Sequence, residues 1–253
     1  VKYLVPALVV LALAACGGSS HKLAANGAPS LARTCGTAGV TASTYFLKTG
    51  DGIRLYAASA GDGSTAVVLL HESGGAGLCG WLPTMRWLAA NGIRAVAINF
   101  RGYPPSGTPA LAIYHHYAQD IQAAVDAAHT LGAKHVFVLG ASMGGAATVA
   151  EAPKLKDVAG VISLSGELDL PTSELDAIGA APKITVPFVF VGSEADGYVP
   201  GSEARRLTRA VGSHDKQVHI FSGGYHGWDL LDAAPYRTHV KSLLLDWLGQ
   251  HAG

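Results

Sequence analysis

A serine hydroxyl is a weak nucleophile near neutral pH, so a serine that does chemistry needs a base within reach and a group that orients the base. Ser142 stands in Gly140-Ala141-Ser142-Met143-Gly144-Gly145, a G-x-S-x-G pattern. The flanking glycines let backbone close tightly around a strained serine and leave its hydroxyl clear. In a chain with 32 glycines the pattern alone says little. Its setting says more: Val136–Leu139 precedes it as a buried strand would, and Ala146–Ala150 follows as a helix. A helix N-terminus behind the serine favours developing negative charge. Such a nucleophile requires an acid and then a histidine further along the chain. Residues 192–200, GSEADGYVP, offer Glu194 and Asp196, and residues 223–228, GGYHGW, offer His226. Asp169 is a third candidate for the acid. The chemistry implied is acyl transfer through a covalent serine ester.

These residues must be held by elements that the hydrophobic pattern predicts. Tyr45–Leu47 and Ile53–Tyr56, parted by Thr49-Gly50-Asp51-Gly52, read as an antiparallel hairpin. Six apolar runs follow: Ala66–Leu70, Ile93–Ile98, Val136–Leu139, Val158–Leu164, Pro187–Val191 and Val218–Phe221. Each is short, nearly continuous and bounded by Gly or polar turns, as strands buried on both faces are. Helical spacing marks Trp81–Asn91, Tyr114–Leu131, Ser142–Ala152, Ser173–Ile178, Ser202–Val211 and Tyr236–Leu248. The expectation is an α/β fold, a mostly parallel central sheet of about eight strands with helices on both faces. Both downstream candidate segments then lie at C-terminal strand ends, where sites assemble in open sheets.

With these motifs in place the chain resembles the α/β-hydrolases, and among them the capless serine esterases and dienelactone-hydrolase-like members. The likeness covers roughly residues 43–250. By that resemblance Asp196 is the acid, in its G-x-x-x-D-x-x-V-P-like context, and His226 the base, in a G-x-H-G-like loop. Glu194 is then a solvated loop charge. His71-Glu72-Ser73-Gly74-Gly75 resembles the turn that supplies an oxyanion-hole amide. Glu72 replaces the usual glycine, a departure also found in dienelactone-hydrolase-like members, and leaves the donor between Glu72 and Ser73. Ser73 is chosen, with the Met143 amide as the second donor. Asn99–Tyr103 resembles the family's D-x-R-G-x segment and shapes a turn. His71 is expected to hydrogen-bond backbone there.

The N-terminal stretch reads as an address. Lys2 precedes an apolar run from Leu4 to Ala15, about half the ~20 residues a spanning helix needs. Residues 1–15 are therefore expected to be a signal peptide. Leu13-Ala14-Ala15-Cys16 resembles the bacterial lipobox, which implies a lipid on Cys16, an extracytoplasmic location and membrane attachment. Residues 16–42 are small, polar and aperiodic, like a flexible tether, and residues 43–253 form the hydrolase domain. With Cys16 lipidated, Cys35 and Cys79 remain as an even pair in a disulfide-permissive compartment, the alternative being two free thiols.

Composition narrows the partners. Eighteen basic and 18 acidic residues cancel with no dense basic run, which argues against a nucleic-acid partner. No metal or cofactor motif is found; adjacent His115 and His116 at a helix start point to different faces. The expected substrate is a small ester. Only Ser165–Val186 separates the sixth and seventh strands, too short for a multi-helix cap, so short or exposed acyl groups are favoured over long-chain lipid. The alternatives are a peptidase or amidase on the same triad, and a surface lipoprotein that only binds.

Overall fold

A computed structural model describes Leu23 and residues 25–252. The expected signal segment and the lipid site at Cys16 lie outside the described residues. Among the described residues eight strands form one sheet: β1 (Ser43–Lys48), β2 (Arg54–Ala60), β3 (Thr65–Leu70), β4 (Arg94–Ile98), β5 (His135–Ala141), β6 (Gly160–Leu164), β7 (Phe188–Ser193) and β8 (Lys216–Phe221). Their order across the sheet is β1-β2-β4-β3-β5-β6-β7-β8. β2 pairs antiparallel with both β1 and β4; every later pairing is parallel. The order and directions are those of an α/β-hydrolase sheet.

Among the described residues eight α-helices flank it: α1 (Leu31–Cys35), α2 (Leu82–Ala90), α3 (Tyr117–Thr130), α4 (Met143–Glu151), α5 (Ala177–Ala180), α6 (Gly201–Ala210), α7 (Asp229–Asp232) and α8 (Arg237–His251). Alternate residues of one strand feed two separate cores. Val68 and Leu70 of β3 belong to one core with Ile121 and Val125 of α3, Ala147 of α4 and Leu207 of α6. Val67 and Leu69 belong to the other, with Met85 and Leu88 of α2, Leu230 of α7, and Leu244 and Trp247 of α8. Burial on both faces explains why these strands read as continuous apolar runs.

Three expectations need correction. The helix foreseen over Ser173–Ile178 does not form, because Glu174 sits at φ 52° and Leu170 bridges Leu175. The helix there is α5, which starts after Asp176, whose carboxylate accepts from the Gly179 amide at 2.8 Å. The long helix begins at Tyr117 rather than Tyr114, since Leu111–Ile113 makes a separate 3-10 turn and His116 leaves helical geometry.

The third correction concerns the tether expected through residue 42. From Asn26 onward this segment is fastened to the domain. The Asn26 carboxamide imitates a strand partner, accepting from the Phe46 amide at 2.7 Å and donating to the Phe46 carbonyl at 2.8 Å. It thereby covers part of the exposed edge of β1. Tyr56 Oη donates to the Pro29 carbonyl, Leu31 is buried, and Cys35 and Cys79 form a disulfide. Small polar composition hid a strap whose attachment lies in side chain–backbone bonds and one covalent link.

Candidate active site

The sharp turn from β5 into α4 holds Ser142 at φ 51° and ψ −119°, a conformation that costs a non-glycine residue about 1–3 kcal/mol. The surroundings impose it. The Ser142 amide donates to Leu164 of β6 at 2.9 Å, and its carbonyl accepts the first helical bond from Ala146 at 2.8 Å. A side chain at Gly144 would strike the Leu70 carbonyl, so only glycine lets α4 lie this close to the end of β3. The Met143 amide is in the first turn of α4, where backbone donors have no intrahelical acceptor. Ser73 sits in the exposed turn after β3, its carbonyl accepting from Tyr103 Oη at 3.3 Å.

The loops after β7 and β8 bring Asp196 and His226 together. Asp196 is 2% exposed, and its Oδ1 accepts from the amides of Tyr198 at 2.9 Å and Val199 at 3.2 Å. His226 Nδ1 lies 2.8 Å from Asp196 Oδ2 and 3.0 Å from Oδ1. That bond places the proton on Nδ1 and leaves Nε2 as the basic nitrogen. The Tyr198 ring leans on the imidazole with centroids 4.8 Å apart. Burial alone would raise Asp196, but the His226 bond and the Tyr198 amide outweigh it and hold the carboxyl below its ordinary range. Burial alone would lower His226; the bond to Asp196 and the fields of Asp196, Glu167 and Glu72 outweigh it and raise the imidazole.

Glu72, the departure from glycine, has a structural use. Its Oε1 accepts from the Trp228 amide at 2.9 Å, tying the β3 turn to the histidine loop across 156 positions. Gly227, at φ 56°, lies so close that any side chain would run into this carboxylate. Trp228 then packs edge-on against Trp81 at 5.9 Å. His71 fixes the same turn from beneath: its Nδ1 meets the Glu72 carbonyl at 2.6 Å and its Nε2 accepts from the Phe100 amide at 3.1 Å. Burial pushes its imidazole down to about 4, so it stays neutral. Arg101, fully buried between Asp120 (2.7 Å) and Asp51 (2.8 Å), stiffens the adjoining turn.

Sequence reasoning missed Glu167. The Ser142 hydroxyl donates to Glu167 Oε1 at 3.4 Å, so in this structure it is turned toward that carboxyl. Burial raises the Glu167 carboxyl, as it raises Glu72. The signal was available: Ser165-Gly166-Glu167 directly follows β6, at the same sheet edge as the other candidates. The rival acids lie apart from this arrangement. Asp169 is exposed, and Glu194 makes an exposed ion pair with Arg205 at 2.7 Å. Among the described residues no group of His, Cys, Asp and Glu is placed to hold a metal ion.

Solved structures repeat this architecture. An esterase of Pyrococcus furiosus superposes with a TM-score of 0.73 at 15% identity, over 89% of this chain and 99% of that one. An esterase of Exiguobacterium antarcticum gives 0.65 at 18%, over 81% and 98%. A proline iminopeptidase of Mycobacterium smegmatis gives 0.66 at 14%, over 83% and 99%. At such identities the likeness speaks for the fold. No curated protein matches the sequence. The model of the dienelactone hydrolase family, by contrast, matches residues 53–247, from the start of β2 into α8. The chain belongs to the dienelactone hydrolase family and is a hydrolase of the esterase type.

Proposed function

We propose that the protein cleaves carboxylic esters through an acyl-enzyme on Ser142, with His226 as general base and acid and Asp196 as its orienting partner. The observation that carries this reading is the Asp196–His226 hydrogen bond beside a serine held at positive φ. Rotation of the Ser142 side chain away from Glu167 brings its hydroxyl to the imidazole. Nε2 then takes the proton as Oγ attacks the ester carbonyl, and returns it to the departing alcohol; water repeats the sequence on the acyl-enzyme. The Ser73 and Met143 amides are the proposed oxyanion donors, a contribution of about 3–4 kcal/mol per donor in related chemistry.

Short acyl chains are the preferred substrates in this reading. Between β6 and β7 the chain makes only 3-10 turns and the four-residue α5, leaving no multi-helix cover at that place. Each covered methylene adds roughly 0.8 kcal/mol, so kcat/KM should climb with chain length only to about four to six carbons. The test joins covalent labelling to a 4-nitrophenyl ester series. Labelling by a fluorophosphonate should vanish in Ser142→Ala, and persistence would move the nucleophile elsewhere. A rise in kcat/KM continuing to C12 or C16 would overturn the short-chain reading. Activity on peptide amides alone would favour a peptidase.

A lipid anchor on Cys16 is proposed for the same protein, on the strength of Leu13-Ala14-Ala15-Cys16. Incorporation of a palmitate analogue should be lost in Cys16→Ser, with release from the membrane fraction; unchanged incorporation would rule the site out.

A further inference from the structure

Glu167 is set at the nucleophile by construction. Ser165, at φ 48°, turns the chain at the end of β6, and Gly166 packs against Gly145 of α4 so closely that a side chain on either would clash. The turn delivers the carboxyl to Ser142, where Oε1 accepts the hydroxyl at 3.4 Å. Its other oxygen, Oε2, is buried with no hydrogen-bond partner among the described residues. Of the neighbouring acids, Glu72 has Oε1 engaged by the Trp228 amide, and Asp196 has both oxygens engaged by Tyr198, Val199 and His226. Those bonds explain why the fold holds them. Glu167 has less: the long contact with Ser142 and its own backbone amide are the donors its carboxyl meets.

The electrostatic surroundings point the same way. Among the described residues no Lys or Arg bonds to Glu72, Glu167, Asp196 or His226. A carboxylate sheltered from water without a counter-charge is destabilised, and a cation placed beside it relieves that cost. An anionic substrate would meet the Glu72 and Glu167 carboxyl groups with no Lys or Arg bonded to either.

We infer that Glu167 is a specificity-determining residue that selects acyl substrates carrying a positive charge close to the scissile carbonyl, such as an ammonium group. The inference rests on the serine-hydrolase reading of the site and names the class of substrate it takes. As the cation docks on Glu167, the Ser142 hydroxyl loses its acceptor and is free to turn to His226. Binding the right charge and presenting the nucleophile are then one event. The cation can sit on the acyl side or on the alcohol side, and matched esters tell these apart.

The experiment compares charged and neutral isosteres: 4-nitrophenyl β-alaninate with 4-nitrophenyl butyrate, and butyrylcholine with 3,3-dimethylbutyl butyrate. Wild-type protein should favour the cationic member of at least one pair by about tenfold or more in kcat/KM, equivalent to about 1.4 kcal/mol. That is well within what one partly desolvated charge pair supplies. In Glu167→Gln, which keeps the shape and removes the charge, the preference should collapse towards unity, chiefly through KM. Added salt should weaken the wild-type preference. A residue that merely propped Ser142 would change both members of a pair alike. A wild-type ratio at or below one in both pairs overturns the inference whether or not the variant folds, as does a ratio unmoved by Glu167→Gln. Fluorophosphonate labelling keeps the two readings apart: labelled protein that prefers neutral esters sinks only the cation selection, whereas unlabelled, inactive protein sinks the serine mechanism beneath it.

Discussion

The loops after β6 and β7 leave adjacent parallel strands, one bringing a carboxyl to Ser142 and the other to His226, yet the two acids differ in state. After β7, Asp196 receives two backbone amides and an imidazole, and its carboxyl is pulled down. After β6, Glu167 receives its own backbone amide and a distant hydroxyl, and burial pushes it up. Asp196 is the less exposed of the two residues, so burial does not decide the difference. The supply of donors does. One loop builds a fixed counter-charge for a histidine; the other leaves a carboxyl in want of a partner.

The sharpest way to break this contrast is Asp196→Asn. Loss of the orienting carboxylate should lower kcat by up to about 10⁴-fold, through the wrong imidazole tautomer. The pH profile should report the same bond. An imidazole can act as a base only when neutral, and Asp196 holds the pKa of His226 above the ordinary 6.5. Wild-type kcat/KM should therefore fall, as pH is lowered, through a midpoint above 6.5, and the residual activity of Asp196→Asn should show a lower midpoint. A midpoint that stays put would mean that another group sets the acid limb. The next effect in size is the roughly tenfold loss of charge preference in Glu167→Gln. The smallest belongs to Glu194→Gln, two positions from Asp196 in sequence but paired with Arg205 in water, which should leave ester kinetics within twofold. A larger loss there would reopen the choice of acid.

Much of this geometry was legible in the residues. Strands such as Ala66–Leu70 and Val136–Leu139 announce themselves because burial on both faces demands unbroken apolar runs. Ser142 is readable because Gly140 and Gly144 answer a packing demand visible as spacing. The illegible parts depend on contacts remote in sequence. Asn26 reads as a loop residue until Phe46 lies beside it. Glu72 reads as a substitution in a turn until its bond to the Trp228 amide, far along the chain, gives it a task. Glu167 is hidden for a subtler reason: a histidine needs one acid, the segment holding Asp196 offers it, and no pattern of spacing asks for a second.

The strap at the N-terminus also sets a reach. A free tether from Cys16 to residue 42 would let the domain wander over a wide volume, but Asn26 is already seated on β1. Only ten residue steps, 26 less 16, then separate the proposed lipid from the folded body, at most about 36 Å of chain. The enzyme would work like an animal on a short lead, meeting substrates at or near the bilayer surface rather than sampling the surrounding fluid. Its diet would then depend as much on what gathers at that surface as on what its cleft can hold.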